Sequence, residues 1–222
     1  MARRHTLSLA LSLAAVAALA GCGSGGPMSS SGAKPMSFFL TSVNPGQGAN
    51  FGGLAGADKY CQDLAAKAGA GGRTWRAYLS TTGSGGVNAR DRIGKGPWYN
   101  AKGVMVAANV DELHGANMLN KQSALTETGQ TIMGRGDATN MHDVLTGSSP
   151  DGRAMPGDKD TTCGNWTKSG DGSAIVGHHD RTGLDESAPA KSWNSSHGTQ
   201  GCGMDALKRT GGAGLMYCFA SN

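Results

Sequence analysis

Four cysteines, Cys61, Cys163, Cys202 and Cys218, constrain this chain more than any other feature, because little else in it can hold a fold together. Thirty-seven of the 222 residues are glycine, while Trp, Tyr and Phe number only four each. Turns are therefore plentiful and the apolar core is thin. An even set of cysteines in an oxidising compartment favours disulfides over metal ligation, and no Cys-x-x-Cys pair argues for zinc. Four cysteines allow three pairings, and their spacing does not choose among them. On the chain-entropy model, bridges closing loops of this length contribute at most about 4 to 5 kcal/mol each.

The oxidising compartment follows from the N-terminus. Arg3 and Arg4 form a positive region, and Leu7 through Ala20 form an apolar stretch of signal-peptide length, too short to span a bilayer well. Leu19, Ala20, Gly21 and Cys22 then resemble the lipobox of bacterial lipoproteins, in which the cysteine is lipidated and becomes the mature N-terminus. The resemblance implies a signal peptide over 1–21, an anchor at Cys22, and a domain tethered to the cell envelope. Gly23 resembles the outer-membrane rather than the inner-membrane sorting pattern of Gram-negative lipoproteins. Loss of Arg3 and Arg4 lowers the net charge from +4 to +2, which removes the case for nucleic acid.

Residues 22–35 are almost all Gly, Ser, Pro and Ala and read as a flexible spacer. The remainder, 36–222, has the length of one domain and no second apolar stretch long enough to cross a membrane. Phe38, Phe39, Leu40 and Val43 predict a strand, stopped at Asn44-Pro45-Gly46. Leu54, Ala57, Cys61, Leu64, Ala65 and Ala68 recur at helical spacing, which places Cys61 on a buried helix face. Trp75, Ala77 and Leu79 alternate with Arg76, Tyr78 and Ser80, the period of a half-buried strand. Further short strands are predicted at 104–107, 144–146, 174–176 and 215–219, so the class is α+β with long Gly- and Asp-rich loops.

The run Gly53-Leu54-Ala55-Gly56-Ala57-Asp58-Lys59-Tyr60-Cys61-Gln62, followed by Arg73-Thr74-Trp75-Arg76-Ala77-Tyr78-Leu79-Ser80, resembles the opening of the endostatin domain of collagens. The likeness continues through Asp111-Glu112-Leu113, through Leu145 to Arg153, through Cys163 three residues before Trp166, and through Met216-Tyr217-Cys218-Phe219. It implies a C-type-lectin-like fold: two helices beside a small twisted antiparallel sheet, long loops, and nested disulfides Cys61–Cys218 and Cys163–Cys202. The opening is also similar to small bacterial secreted domains of this fold whose function is unknown. Calcium-dependent lectins of the fold carry Glu-Pro-Asn and Trp-Asn-Asp triplets. Here no triplet precedes Cys163, and in Trp193-Asn194-Ser195 a serine replaces the aspartate, so the calcium motif of sugar binding is absent.

Arg73, Arg76, Arg90, Arg92 and Lys95, with Trp98 and Tyr99 beside them, form the densest basic group, suited to an anionic polysaccharide; the competing reading is a solvated rim neutralised by Asp91. Trp193 and Asn194 complete the ligand-binding candidates. Asp151, Asp158 and Asp160 could offer oxygen to calcium, though their spacing matches no calcium loop and solvated turns account for them as well. His178, His179 and Asp180, with His197 further on, could ligate zinc or copper, but adjacent strand histidines face opposite ways, so only one can join a given site. Arg135-Gly136-Asp137 spells the integrin tripeptide. No Gly-x-Ser-x-Gly elbow and no free thiol beyond Cys22 supports catalysis. The expected function is a non-enzymatic envelope module that binds polysaccharide, matrix or another envelope component. The alternatives are a structural lipoprotein without a dedicated ligand and a hydrolase using the His178-His179-Asp180 loop.

Overall fold

The computed structural model describes Met1 and residues 32–222; residues 2–31, and with them the signal-peptide segment and the anchor Cys22, lie outside the described residues. In chain order the elements are β1 (Phe38–Leu40), α1 (Gly53–Lys67), β2 (Trp75–Ala77), a 3-10 turn at Ala89–Asp91, β3 (Trp98–Tyr99), β4 (Met105–Ala107), α2 (Val110–Leu113), β5 (Asp143–Leu145), α3 (Cys163–Trp166), β6 (Ile175–His178), β7 (His197–Gly198), α4 (Met204–Thr210) and β8 (Gly212–Ala220). This is a mixed α+β domain with a small sheet, four helical segments and two disulfides. Among the described residues no helix is long and apolar enough to cross a membrane.

The apolar run at the end of the chain becomes the spine of the sheet. β8 pairs antiparallel with β1 and with β2 and parallel with β5, and β6 and β7 extend the sheet outward from β5. Side chains alternate across a strand, and both faces of β8 are covered. Met216, Cys218 and Ala220 enter one core with Phe39, Trp75 and Trp166. Leu215, Tyr217 and Phe219 enter a second with Phe38, Tyr78, Trp98 and Trp193. A continuous hydrophobic run is what a strand buried on both faces requires. β3 and β4 form a separate two-stranded ribbon.

α1 lays Ala57, Asp58, Cys61, Leu64 and Ala65 against the first core, the i, i+3, i+4 stripe that its spacing predicts. The disulfides are Cys61–Cys218, joining α1 to the sheet, and Cys163–Cys202. α3 is a single turn whose backbone is left-handed from end to end, with φ of 50° at Cys163, 64° at Gly164, 55° at Asn165 and 70° at Trp166. Such a turn costs L-residues about 1 to 2 kcal/mol each, and three attachments offset the cost. These are the disulfide, the fully buried Trp166 indole donating to the Ser80 carbonyl at 2.8 Å, and the Asn165 amide bridging to Thr82.

One local expectation differs. The half-exposed alternation read over 75–80 ends at Ala77, and Tyr78, Leu79 and Ser80 are all fully buried. Tyr78 packs on Trp193 at 4.8 Å between ring centres, so beyond β2 the chain dives into the second core rather than along its surface.

Candidate functional site

The basic group does not stay together as one face. Asp58, on the buried side of α1, takes Arg92 at 2.5 Å and Arg76 at 2.7 Å, and also accepts the Ala77 backbone N–H at 2.9 Å. Arg90 is tied to the Asp151 carbonyl at 2.8 Å and to Asp111 at 3.2 Å. These arginines fasten loops to the core. Arg73 is different: with Lys34 and Lys95 it borders an open cleft of about 540 Å³, walled by Trp98 and Tyr99. Among the described residues none of these three cations has an ion-pair partner.

Three aromatic and amide candidates are core residues. Trp98 and Trp193 are buried, and the Asn194 side chain donates to the Tyr78 hydroxyl at 3.0 Å and to the carbonyls of Ser149 and Pro150. Asn194 therefore fills donor demands inside the fold and offers nothing to a ligand. Burial pushes the Tyr78 phenol far above its ordinary range.

The loop aspartates also serve their own backbone. Asp151 bonds the Ser149 hydroxyl at 2.6 Å and the Arg153 side chain at 2.9 Å. Asp160 accepts the backbone N–H groups of Thr162 at 3.0 Å and Gly164 at 2.7 Å, while Asp158 stands exposed in the same loop. The three do not converge on an ion. In Arg135-Gly136-Asp137, the aspartate closes its own turn onto the Gly134 N–H and pairs with Lys121 at 2.5 Å.

The histidines separate as strand alternation demands. His179 is fully buried with neither ring nitrogen hydrogen-bonded, and burial pushes its imidazole down to about 4. His178 turns the other way, towards His197, which the sequence offers beside it, and towards His142 and Asp143, which it does not. Sheet register builds this cluster: Asp143 of β5 stands opposite His178 of β6, and His197 of β7 stands opposite Val176, two residues from His178 on the same face. His142, just before β5, stacks on the His178 ring with centres 4.0 Å apart.

Around Oδ1 of Asp143 stand Nε2 of His142 at 3.2 Å, of His178 at 3.3 Å and of His197 at 3.4 Å, with the last two 3.2 Å from each other. His142, Asp143 and His178 are at most 3% exposed, yet neither carboxylate oxygen of Asp143 has a hydrogen bond. The ring atoms lie close but are not aligned to donate. Every Nδ1 is engaged: His142 with Asp180 at 3.3 Å, His178 with the Ala190 carbonyl at 2.7 Å and His197 with the Gly198 carbonyl at 3.2 Å. Burial pushes the Asp180 carboxyl up, but His142 and the amides of Arg135 and Thr182 outweigh it and hold it down to about 2. The neighbouring Asp143 carboxylate pushes the His197 imidazole up against the pull of burial. His178, His179 and Asp180 form no hydrogen-bonded unit: His178 bonds the Ala190 carbonyl, Asp180 bonds His142, and the His179 ring bonds neither of them. His142 and Asp143 were missed because no motif links them to residues 178 and 197; an adjacent His-Asp pair at a strand start was the only available signal.

No family model matches this chain, and no curated protein matches it at a significant level.

Proposed function

We propose that the protein is an envelope lipoprotein anchored through Cys22, whose domain has the endostatin-like, C-type-lectin-like fold and serves as a non-enzymatic binding module for an anionic polysaccharide. The α+β sheet, the helix carrying the first cysteine and the nested disulfides are the features that this fold calls for. Fold alone does not assign function, so the reading is carried by one observation: Lys34, Arg73 and Lys95 border a single open cleft with Tyr99 beside them, and among the described residues none of the three has an ion-pair partner. Unpaired cations along a cleft attract sulfate or carboxylate groups by charge-assisted contacts. An aromatic wall suits the apolar face of a sugar ring.

Retention of the purified protein on immobilised heparin, used as a probe polyanion, tests this. Paired Arg73→Ala and Lys95→Ala changes lower the salt needed for elution, whereas Arg90→Ala, whose guanidinium is already engaged, leaves it unchanged. Absence of retention, or equal elution of all variants, overturns the reading.

A further inference from the structure

Three imidazoles and a carboxylate meet where the sheet runs out at β7. A carbonyl oxygen only accepts, so the carbonyls of Ala190 and Gly198 place the ring proton of His178 and His197 on Nδ1, and Asp180 does the same for His142. The Nε2 atoms of all three rings then face Oδ1 of Asp143 without forming a hydrogen bond to it, and those of His178 and His197 meet each other at 3.2 Å. A buried carboxylate is costly without a partner, and among the described residues neither Asp143 oxygen receives a hydrogen bond. A cation at the centre supplies that partner.

Donor type selects the ion, because imidazole and carboxylate together suit zinc. Atoms bound at 2.0 to 2.1 Å to a tetrahedral metal stand about 3.3 to 3.4 Å apart, whereas neighbours around a square-planar copper stand about 2.8 Å apart. Calcium prefers oxygen throughout. Four of the six separations among these atoms run from 3.2 to 3.4 Å, and the ligand atoms of His142, Asp143 and His178 all lie within 4.8 Å of one another. We propose that His142, Asp143 and His178 form the core of a zinc site, that the ion draws the His142 ring off its stack on His178, and that His197, 3.4 Å from Asp143, completes the site as fourth ligand, with Asp180 and two backbone carbonyls orienting the rings from outside.

With His197 as fourth ligand the site has no open position for a substrate, so its work is structural. Both disulfides lie elsewhere, one between α1 and β8 and the other between α3 and the approach to α4. Zinc ties β5, β6 and the two-residue β7 together at the end that no disulfide reaches. The side chain of His197, 39% exposed, borders a cavity of about 240 Å³ with Arg135 and Ser196, which gives the ion its way in.

The experiment strips the purified, disulfide-intact protein with chelator and titrates it with zinc alone, following bound metal by elemental analysis and unfolding by thermal melt. One zinc per chain, a raised Tm and the strong visible absorption of four-coordinate cobalt after substitution are expected. His178→Ala abolishes uptake. Because that variant could unfold, the half-exposed His197→Ala and the outer Asp180→Asn serve beside it, the latter weakening zinc about 10- to 100-fold. Folded protein that takes up no zinc, or takes it up equally in His178→Ala and His197→Ala, overturns the proposal. A weak, octahedral cobalt spectrum does the same.

Discussion

Asp58 holds Arg92 at 2.5 Å with both side chains largely shut off from water, at 11% and 14% exposure. One carboxylate thus joins α1, β2 and the turn after Ala89, and two arginines of the basic group, Arg76 and Arg92, are consumed in assembling the domain. Removing one partner of a buried pair leaves the other charge uncompensated. Asp58→Ala is expected to cost about 3 kcal/mol or more in urea unfolding. A double-mutant cycle with Arg92→Ala should recover part of that cost; independent, additive losses would show that the pair is not coupled.

Asn194 and Trp193 are expected to behave as core residues. Asn194→Ala leaves the carbonyls of Ser149 and Pro150 without their donor, a loss of about 1 to 3 kcal/mol. Heparin elution of the folded variant should match the parent protein. A shift in elution without a loss of stability would place the residue at the ligand instead.

Gly177 marks where β6 meets the 193–194 segment, because a Cβ there would lie 1.9 Å from the Trp193 carbonyl oxygen. Gly177→Ala should therefore force that segment off the sheet and cost about 1 to 3 kcal/mol by overpacking. Amide exchange at Ser196, which donates to the Val176 carbonyl, should quicken with it. Unchanged exchange would mean that the chain accommodates the methyl elsewhere.

Asp160 sets an acid dependence. Burial pushes its carboxyl up, but the amides of Thr162 and Gly164 and the Thr162 hydroxyl pull it further down, below the ordinary 3.8. A carboxyl depressed by folding contributes stability that is fully present above its unfolded pKa and fades as pH falls through the folded one. The Tm advantage of the parent over Asp160→Asn should be constant above about pH 5 and shrink below 3.8. An advantage that persists to strong acid would assign the effect to packing rather than to charge.

Much of the architecture was legible in the residues. The α1 stripe with Cys61 inward and the apolar run of β8 are local periodicities, and helices and strands bury faces according to period. Tyr78 was misread because a strand pattern carries no information about where the strand stops, and the pull of Trp193 and Tyr217 on its ring comes from distant sequence. The basic cluster was legible as a group but not in its use, since the partner that absorbs Arg76 and Arg92 sits on another element.

By itself the sequence determined the α+β class, the cysteine set, the burial of Cys61 and the rule that His178 and His179 must part company. Each follows from neighbours along the chain, where bond geometry sets the period. Tertiary structure alone decided that Arg92 pairs with Asp58 while Arg73 has no ion-pair partner among the described residues, and that His142 and Asp143 meet His178 and His197. Those outcomes depend on strand register and loop closure between residues tens of positions apart, and no local pattern encodes which carboxylate will arrive beside which cation or imidazole.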